Sequence, residues 1–151
     1  MKKALASLFA SSLLVVTAAW ADPLKEMAEV AGPRAKAYTA GDLDGWTNAY
    51  AENAVFFGSD SPFRVEGKAA IRAAITEHFN AYPGRRYFLR QSNARAYGDN
   101  LIVVDGYFEL ILTDRSAKRT VQYGRYTATW AKLDGRWQII QHQNAPLPDG
   151  F

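Results

Sequence analysis

The sequence contains no cysteine and only two histidines, His78 and His142. The lack of cysteine excludes thiol catalysis, cysteine-ligated metals and disulfide bonds, so the fold must depend on its hydrophobic core or on self-association. Two histidines are too few for a multi-histidine metal site. The acidic segment at residues 42–45 lacks the other oxygen ligands of a calcium loop. We therefore expect neither a metal nor another cofactor.

Positive charge is also in only small excess. The chain has 18 Lys and Arg residues against 15 Asp and Glu, which gives a formal net charge of +3. Nucleic-acid binding requires basic side chains clustered on one face. The two basic pairs, Arg85-Arg86 and Lys118-Arg119, instead lie beside predicted turns, where solvated strand ends explain them. We therefore expect no nucleic-acid partner.

The first 21 residues have the composition of a bacterial export signal. Lys2 and Lys3 precede an apolar run, Leu5 to Ala18, and Ala19-Trp20-Ala21 has the small–x–small pattern of a cleavage site. The apolar run is too short to span a membrane comfortably. We predict cleavage after Ala21, a periplasmic or secreted location, and a mature single domain, residues 22–151, with no membrane segment. The alternative is an N-terminal core helix. Cleavage would leave 16 basic residues against 15 acidic ones.

Capping residues and hydrophobic periodicity predict three helices and several strands. The first helix begins at Asp22-Pro23 and ends at Gly41, with a kink or a break at Gly32-Pro33. The second begins at Asp42 and the third at Gly67. The predicted strands are Ala54–Gly58, Tyr87–Tyr97, Leu101–Thr113 and a hairpin over Arg119–Asn144 that turns at Asp134-Gly135. This order predicts an α+β domain with helices packed on one face of an antiparallel sheet.

Strict alternation along the hairpin divides its side chains between two faces. On this count Gln141 and Gln143 share the face of Trp137, and Arg125 lies on a polar face of its own strand. These three side chains are candidates for a cavity, although they could equally cap the core or face water. The opposite face would expose an apolar patch unless another subunit covers it. We therefore predict self-association through a surface centred on Tyr126, Trp130, Ile140 and His142.

Several sequence motifs, in order along the chain, resemble the nuclear transport factor 2-like superfamily. They are YTAGDLDGW at residues 38–46, YAENAVF at 50–56, RVEGKAAI at 64–71, YTATW at 126–130 and DGRW at 134–137. Among its branches, the chain is most similar to bacterial proteins akin to the calcium/calmodulin-dependent protein kinase association domain, and to the cyclase-like and ketosteroid isomerase-like groups.

The resemblance implies a cone-shaped domain in which a bent antiparallel sheet wraps its concave face around a pocket closed by three N-terminal helices. It also implies dimers or larger rings formed through the convex face. It implies no single reaction, because this fold carries isomerases, dehydratases, epoxide hydrolases and non-catalytic binding modules.

Acid–base chemistry in such a pocket requires a carboxylate base and a donor for developing negative charge. Asp60 and Asp105 are the candidate catalytic bases. The candidate ligand-binding side chains are aromatic or polar, namely Trp46, Tyr50, Phe57, Tyr107, Glu109, Arg125, Gln141 and Gln143. Related association-type domains often have histidines at the two glutamine positions, and glutamine cannot titrate. We predict a small-molecule binding domain; the alternatives are an isomerase, dehydratase or hydrolase, and a non-catalytic oligomerisation module.

Overall fold

A computed structural model describes residues 22–148, so the predicted signal peptide, residues 1–21, lies outside the described residues. The helices are α1 (Pro23–Ala40), α2 (Leu43–Thr47) and α3 (Lys68–Ala81), and the strands are β1 (Tyr50–Phe57), β2 (Val65–Glu66), β3 (Gly84–Ala96), β4 (Leu101–Thr113), β5 (Arg119–Leu133) and β6 (Arg136–Pro146). Within residues 22–148, no helix is both long and apolar enough to cross a membrane.

Helix α1 begins and ends at the predicted capping residues. The Asp22 carboxylate accepts a hydrogen bond from the Leu24 N–H at 3.0 Å. Gly41 ends the helix with φ of 77°, in the left-handed region that favours glycine. A Cβ at this position would also displace the end of the Arg85 side chain. The expected break at Gly32-Pro33 is wrong, because α1 continues through Pro33.

The strands form one six-stranded sheet in the order β2-β1-β6-β5-β4-β3. Strands β3 to β6 are antiparallel neighbours, whereas β1 runs parallel to β6. The three helices pack against one face of the bent sheet and enclose the core with it. The predicted α+β fold, a curved sheet with N-terminal helices on its concave face, is confirmed.

The two faces of the sheet differ sharply in burial. The face that packs against the helices, here called the inner face, carries large apolar side chains that include Tyr87, Phe108, Leu110, Tyr126, Trp130 and Ile139. The opposite, outer face carries charged and polar side chains together with Tyr107 and Tyr123, which are 42% and 53% exposed. The aromatic content of the chain is therefore concentrated on the side where the helices meet the sheet.

A one-residue bulge in β6 determines which of its side chains face inward. Thr129 pairs with Gln141, whereas the adjacent Trp130 pairs with Ile139, so Ile140 is an extra residue in β6. A bulge of this kind reverses the alternation of side chains beyond it. Before the bulge the odd-numbered residues of β6 face the core, and after it the even-numbered residues do.

Burial corrects the predicted self-association surface. Tyr126 and Trp130 of β5 and His142 of β6 do not form an outer surface, because all three are buried on the inner face, and the bulge in β6 accounts for the position of His142 alone. Ile140 is only partly buried and lies at the bulge itself. Self-association through the outer face stays a prediction, but the side chains that this face offers are those around Tyr123.

Candidate functional site

A cavity of about 370 Å³ lies between α3, the loop after β1 and the inner face of the sheet. We call it the α3 cavity. Six aromatic side chains contribute to its wall, namely Tyr38, Trp46, Phe56, Tyr82, Tyr87 and Phe108, and its polar side chains include Asp60, Glu77, His78 and Asn144. Apolar walls with a few polar groups are usual for a small-molecule site. At about 30 Å³ per water-sized group, the cavity accommodates a ligand of about twelve non-hydrogen atoms.

Three polar side chains at this cavity form a continuous hydrogen-bonded chain, here called the relay. Asp60 Oδ2 lies 2.5 Å from His78 Nδ1, and His78 Nε2 lies 2.5 Å from the Tyr38 hydroxyl oxygen. Tyr38 comes from α1, His78 from α3 and Asp60 from the loop after β1. The Tyr38 ring packs against the rings of Trp46 and Phe79 at centroid distances of 5.0 and 5.2 Å, which fixes its position.

Arg85 forms hydrogen bonds to the ends of both helices that carry relay residues, α1 with Tyr38 and α3 with His78. Its Nε donates to the Tyr38 carbonyl oxygen at 2.9 Å, and its Nη1 donates to the carbonyl oxygens of Phe79 and Tyr82 at 3.2 and 2.6 Å. The last carbonyl groups of a helix have no partner within the helix and carry partial negative charge. One guanidinium therefore satisfies the ends of α1 and α3 and sets the spacing between Tyr38 and His78.

The relay has a defined proton arrangement. The hydrogen bond from His78 lowers the pKa of Asp60, so this half-exposed carboxyl group is ionised near neutral pH. An ionised Asp60 accepts a hydrogen bond from His78 Nδ1, and in the tautomer with its hydrogen on Nδ1 the Nε2 atom accepts from the Tyr38 hydroxyl. Burial, together with the negative charge of Asp60, raises the pKa of Tyr38, which therefore keeps its proton.

A second tyrosine–histidine pair lies deeper in the core. The Tyr50 hydroxyl and His142 Nδ1 are 2.6 Å apart, and both side chains are almost fully buried. Burial, and then the positive charge of Arg34, lower the pKa of His142 to about 3, so its ring is neutral. Burial raises the pKa of Tyr50. A neutral acceptor and a protonated hydroxyl make this pair a structural hydrogen bond at ordinary pH.

Only part of the predicted site lies at the α3 cavity. Asp60 and Trp46 line it. Tyr50 is instead enclosed in the core next to His142. Phe57 pairs across from Gln143 and so lies on the opposite side of β1 from Phe56, which is the residue that lines the cavity.

The remaining predicted side chains lie on the outer face, which corrects their assignment to a cavity. Asp105 forms an ion pair with Arg95, and Glu109 forms one with Arg90 at 3.0 Å. The other outer-face residues are Tyr107, Arg125, Gln141 and Gln143. Tyr107 and Arg125 lie opposite each other in the antiparallel ladder and are both exposed. The glutamines are displaced to this face by the bulge at Ile140.

Sequence reasoning missed most of the residues that carry the relay. His78 lies three residues after Ile75 on the inward stripe of α3, and a histidine on the apolar stripe of a helix was the available signal. Tyr38 was one of several aromatic residues at helical spacing and had no distinguishing mark. Alternation alone does not place Asn144 on the inner face, because the bulge in β6 shifts the alternation. Within residues 22–148, no group of three or more acidic or histidine side chains is placed to hold a metal ion.

Solved structures share this fold at low sequence identity. A protein from Xanthomonas campestris, assigned as a calcium/calmodulin-dependent protein kinase II association domain, is 24% identical with a TM-score of 0.72; the match covers 83% of this chain and 88% of that one. A protein from Novosphingobium aromaticivorans, assigned as a scytalone dehydratase, is 12% identical with a TM-score of 0.74, over 83% and 84% of the two chains. A nuclear transport factor 2-like protein of unknown function from Pseudomonas putida is 20% identical with a TM-score of 0.73, over 83% and 87%.

A comparison with curated proteins gave no match. A sequence profile of the SnoaL-like domain, in contrast, matches residues 33–148, which is most of the chain. These residues run from the middle of α1 to the end of the described chain and contain the relay and the α3 cavity. The chain therefore belongs to the SnoaL-like domain family, within the nuclear transport factor 2-like superfamily.

Proposed function

We propose that the α3 cavity binds a small, largely apolar molecule with a carbonyl or hydroxyl group and that the relay moves a proton to and from it. The reaction class is an isomerisation or a dehydration. The observation that carries this proposal is the chain of hydrogen bonds from Asp60 through His78 to Tyr38 at the wall of an aromatic cavity. Coupled carboxylate, imidazole and hydroxyl groups are typical of general acid–base catalysis.

The relay can take up a proton and return it without a net change. The Tyr38 oxygen accepts a proton from the substrate while the Tyr38 hydroxyl hydrogen passes to His78 Nε2. The imidazolium that forms is stabilised by the Asp60 carboxylate at 2.5 Å from Nδ1. In the reverse transfer, His78 returns a proton to the Tyr38 oxygen and the hydroxyl donates to another substrate atom. Donation to carbon completes an isomerisation, and donation to a departing hydroxyl completes a dehydration.

The high pKa of Tyr38 makes this a concerted transfer. A free tyrosinate is disfavoured by burial and by the negative charge of Asp60. If the Tyr38 hydroxyl proton passes to His78 while the Tyr38 oxygen accepts the substrate proton, no free tyrosinate forms. The His78 side chain is largely buried, which strengthens its interaction with Asp60 because electrostatic forces increase as the local dielectric constant falls, while the half-exposed Asp60 carboxylate stays open to solvent.

The test is proton exchange in ketones of the right size. We would incubate the protein in D₂O with bicyclic ketones such as 2-tetralone and follow deuterium entry beside the carbonyl group by NMR. His78→Gln and Tyr38→Phe are expected to lower the exchange rate about 10²–10⁴-fold, the usual contribution of a positioned acid or base. Asp105→Asn, on the outer face, is the matched control and should leave the rate unchanged.

The second candidate function is ligand binding without catalysis, which the aromatic wall alone supports. Quenching of Trp46 fluorescence by the same ketones distinguishes the two functions. Quenching without exchange would favour a binding module, and exchange that survives in His78→Gln would refute the relay mechanism.

We also propose that the domain acts after export and as a homo-oligomer. The lysine-led apolar N-terminus supports export. The aromatic side chains on the outer face, of which Tyr123 is the most exposed in β5, support contact with a second copy of the chain.

A further inference from the structure

A second cavity, of about 300 Å³, lies between α1 and the inner face of the sheet. We call it the α1 cavity. Trp46 and Tyr87 line both cavities and form the partition between them. Much of the remaining wall is small or apolar, including Ala31, Ala35 and Val104, and its polar side chains include Arg34, Ser92, Asn93 and His142. The α1 cavity therefore has the walls of a ligand site but contains no residue of the relay.

Among residues 22–148, Arg34 is the one cationic side chain in the wall of this cavity. It is only 8% exposed. Its Nε donates to the Trp46 carbonyl oxygen at 3.1 Å, and its guanidinium carbon lies 4.1 Å from the Trp46 ring centroid and 5.1 Å from that of Tyr50. Within residues 22–148, the terminal nitrogen Nη2 is buried and has no hydrogen-bond partner. The guanidinium is thus held by the two rings on its face and by the Trp46 carbonyl group at Nε.

No carboxylate neutralises this guanidinium within residues 22–148, because none of their salt bridges includes Arg34. The titratable neighbours in the core are His142, which is neutral, and the hydroxyl groups of Tyr50 and Tyr87, which keep their protons. Buried cations are normally paired, because an uncompensated buried charge destabilises a fold. The α1 cavity therefore carries a positive charge that lacks its counterion.

We infer that the α1 cavity is a binding site for a small apolar monocarboxylate, in which the carboxylate pairs with the Arg34 guanidinium. The planar guanidinium suits a planar carboxylate. The aromatic rings and the Trp46 carbonyl group preorganise the guanidinium for this interaction. The apolar part of the ligand lies along Val104 and toward the exposed residues Ala28 and Leu89 at the rim. At about 30 Å³ per group, the volume suits roughly ten non-hydrogen atoms, the size of phenylacetate or octanoate.

The composition of the wall favours a monocarboxylate ligand over a phosphate. A phosphate group presents several charged oxygens and needs several donors, whereas within residues 22–148 the α1 cavity offers one cation, Arg34, beside the uncharged side chains of Ser92, Asn93 and His142. Ser92 already accepts a hydrogen bond from the Tyr126 hydroxyl at 2.7 Å. The remaining wall would leave further phosphate oxygens without partners.

The experiment compares phenylacetate with phenylacetamide, which has the same shape and no charge. Binding is measured by isothermal titration calorimetry and by the fluorescence of Trp46 and Trp130, which both line the cavity. Phenylacetate should bind at least tenfold more tightly than the amide. Arg34→Met should abolish this difference, whereas Arg125→Met, the matched control on the outer face, should preserve it.

A second variant keeps the test decisive if Arg34→Met does not fold. Ala28 is an exposed residue of α1 at the rim, so Ala28→Phe should narrow the entrance without disturbing the core and weaken phenylacetate binding at least tenfold. Asp60→Asn, which alters the relay, should leave phenylacetate binding unchanged, so this test is independent of the proposed catalysis. Equal affinity for phenylacetate and phenylacetamide in the wild-type protein would overturn the inference.

Discussion

Acid should destabilise this domain through His142, because burial of its imidazole disfavours protonation. The folded-state pKa of about 3 lies well below the unfolded-state value of 6.5. Between these two values the unfolded chain binds more protons than the folded one, so stability falls as pH falls through this window. Above pH 6.5 both states have a neutral ring and the effect disappears.

The magnitude follows from the width of the window. Each pH unit within it weakens the fold by up to about 1.4 kcal/mol for one proton, so acidification from pH 7.5 to 4.5 should remove roughly 2.5 kcal/mol. This is a large share of the roughly 5–15 kcal/mol that stabilises a typical domain. Protonation would also place a second positive charge beside Arg34 and remove the acceptor for the Tyr50 hydroxyl.

The assay is urea unfolding followed by circular dichroism at both pH values, on the wild-type protein and on His142→Gln. Glutamine retains a hydrogen-bond acceptor for Tyr50 but cannot titrate. The variant should therefore lose roughly 2.5 kcal/mol less than the wild type over this range. Contributions from other groups are common to both proteins and cancel in the comparison. Equal losses in the two proteins would refute the assignment of the effect to His142.

Three further predictions concern other parts of the chain. Gly124→Ala should lower the free energy of unfolding by about 1–3 kcal/mol in urea titrations, because an added Cβ would lie 2.2 Å from the Phe108 ring and force it to move; an unchanged midpoint would show that the ring yields freely. Tyr123→Glu should reduce the molar mass measured by light scattering if the outer face self-associates, and Tyr97→Glu, also at an exposed tyrosine, should not. Intact-mass measurement of exported protein should show cleavage after Ala21, and a product that retains the N-terminal 21 residues would contradict the export prediction.

The sequence predicts most of the fold because its local signals are strong and mutually consistent. Asp22 and Gly41 bound α1, Asp42 caps α2, and the predicted bounds of β4 are those in the structure. These features depend on residues within one turn of each other or on alternation along one strand. Such local preferences can be evaluated without knowing what packs against them.

The site is less predictable because it depends on contacts between distant parts of the chain. Tyr38 and His78 are forty residues apart and meet only because Arg85 joins the ends of their helices. The inward position of His142 depends on the extra residue at Ile140, and no turn or glycine marks that bulge in the sequence. Alternation predicts a face only while the register stays unbroken.

The partition formed by Trp46 and Tyr87 gives the fold a simple way to change the length of the ligand it accepts. The two rings meet edge to face at a centroid distance of 5.6 Å, and within residues 22–148 the Trp46 indole N–H has no hydrogen-bond partner that would anchor the wall. Replacing Trp46 by a small residue would join the two short chambers into a long one, with Arg34 and Tyr38, which both contact the Trp46 ring, near its middle. A single substitution would therefore let such a domain accept longer ligands on an unchanged backbone.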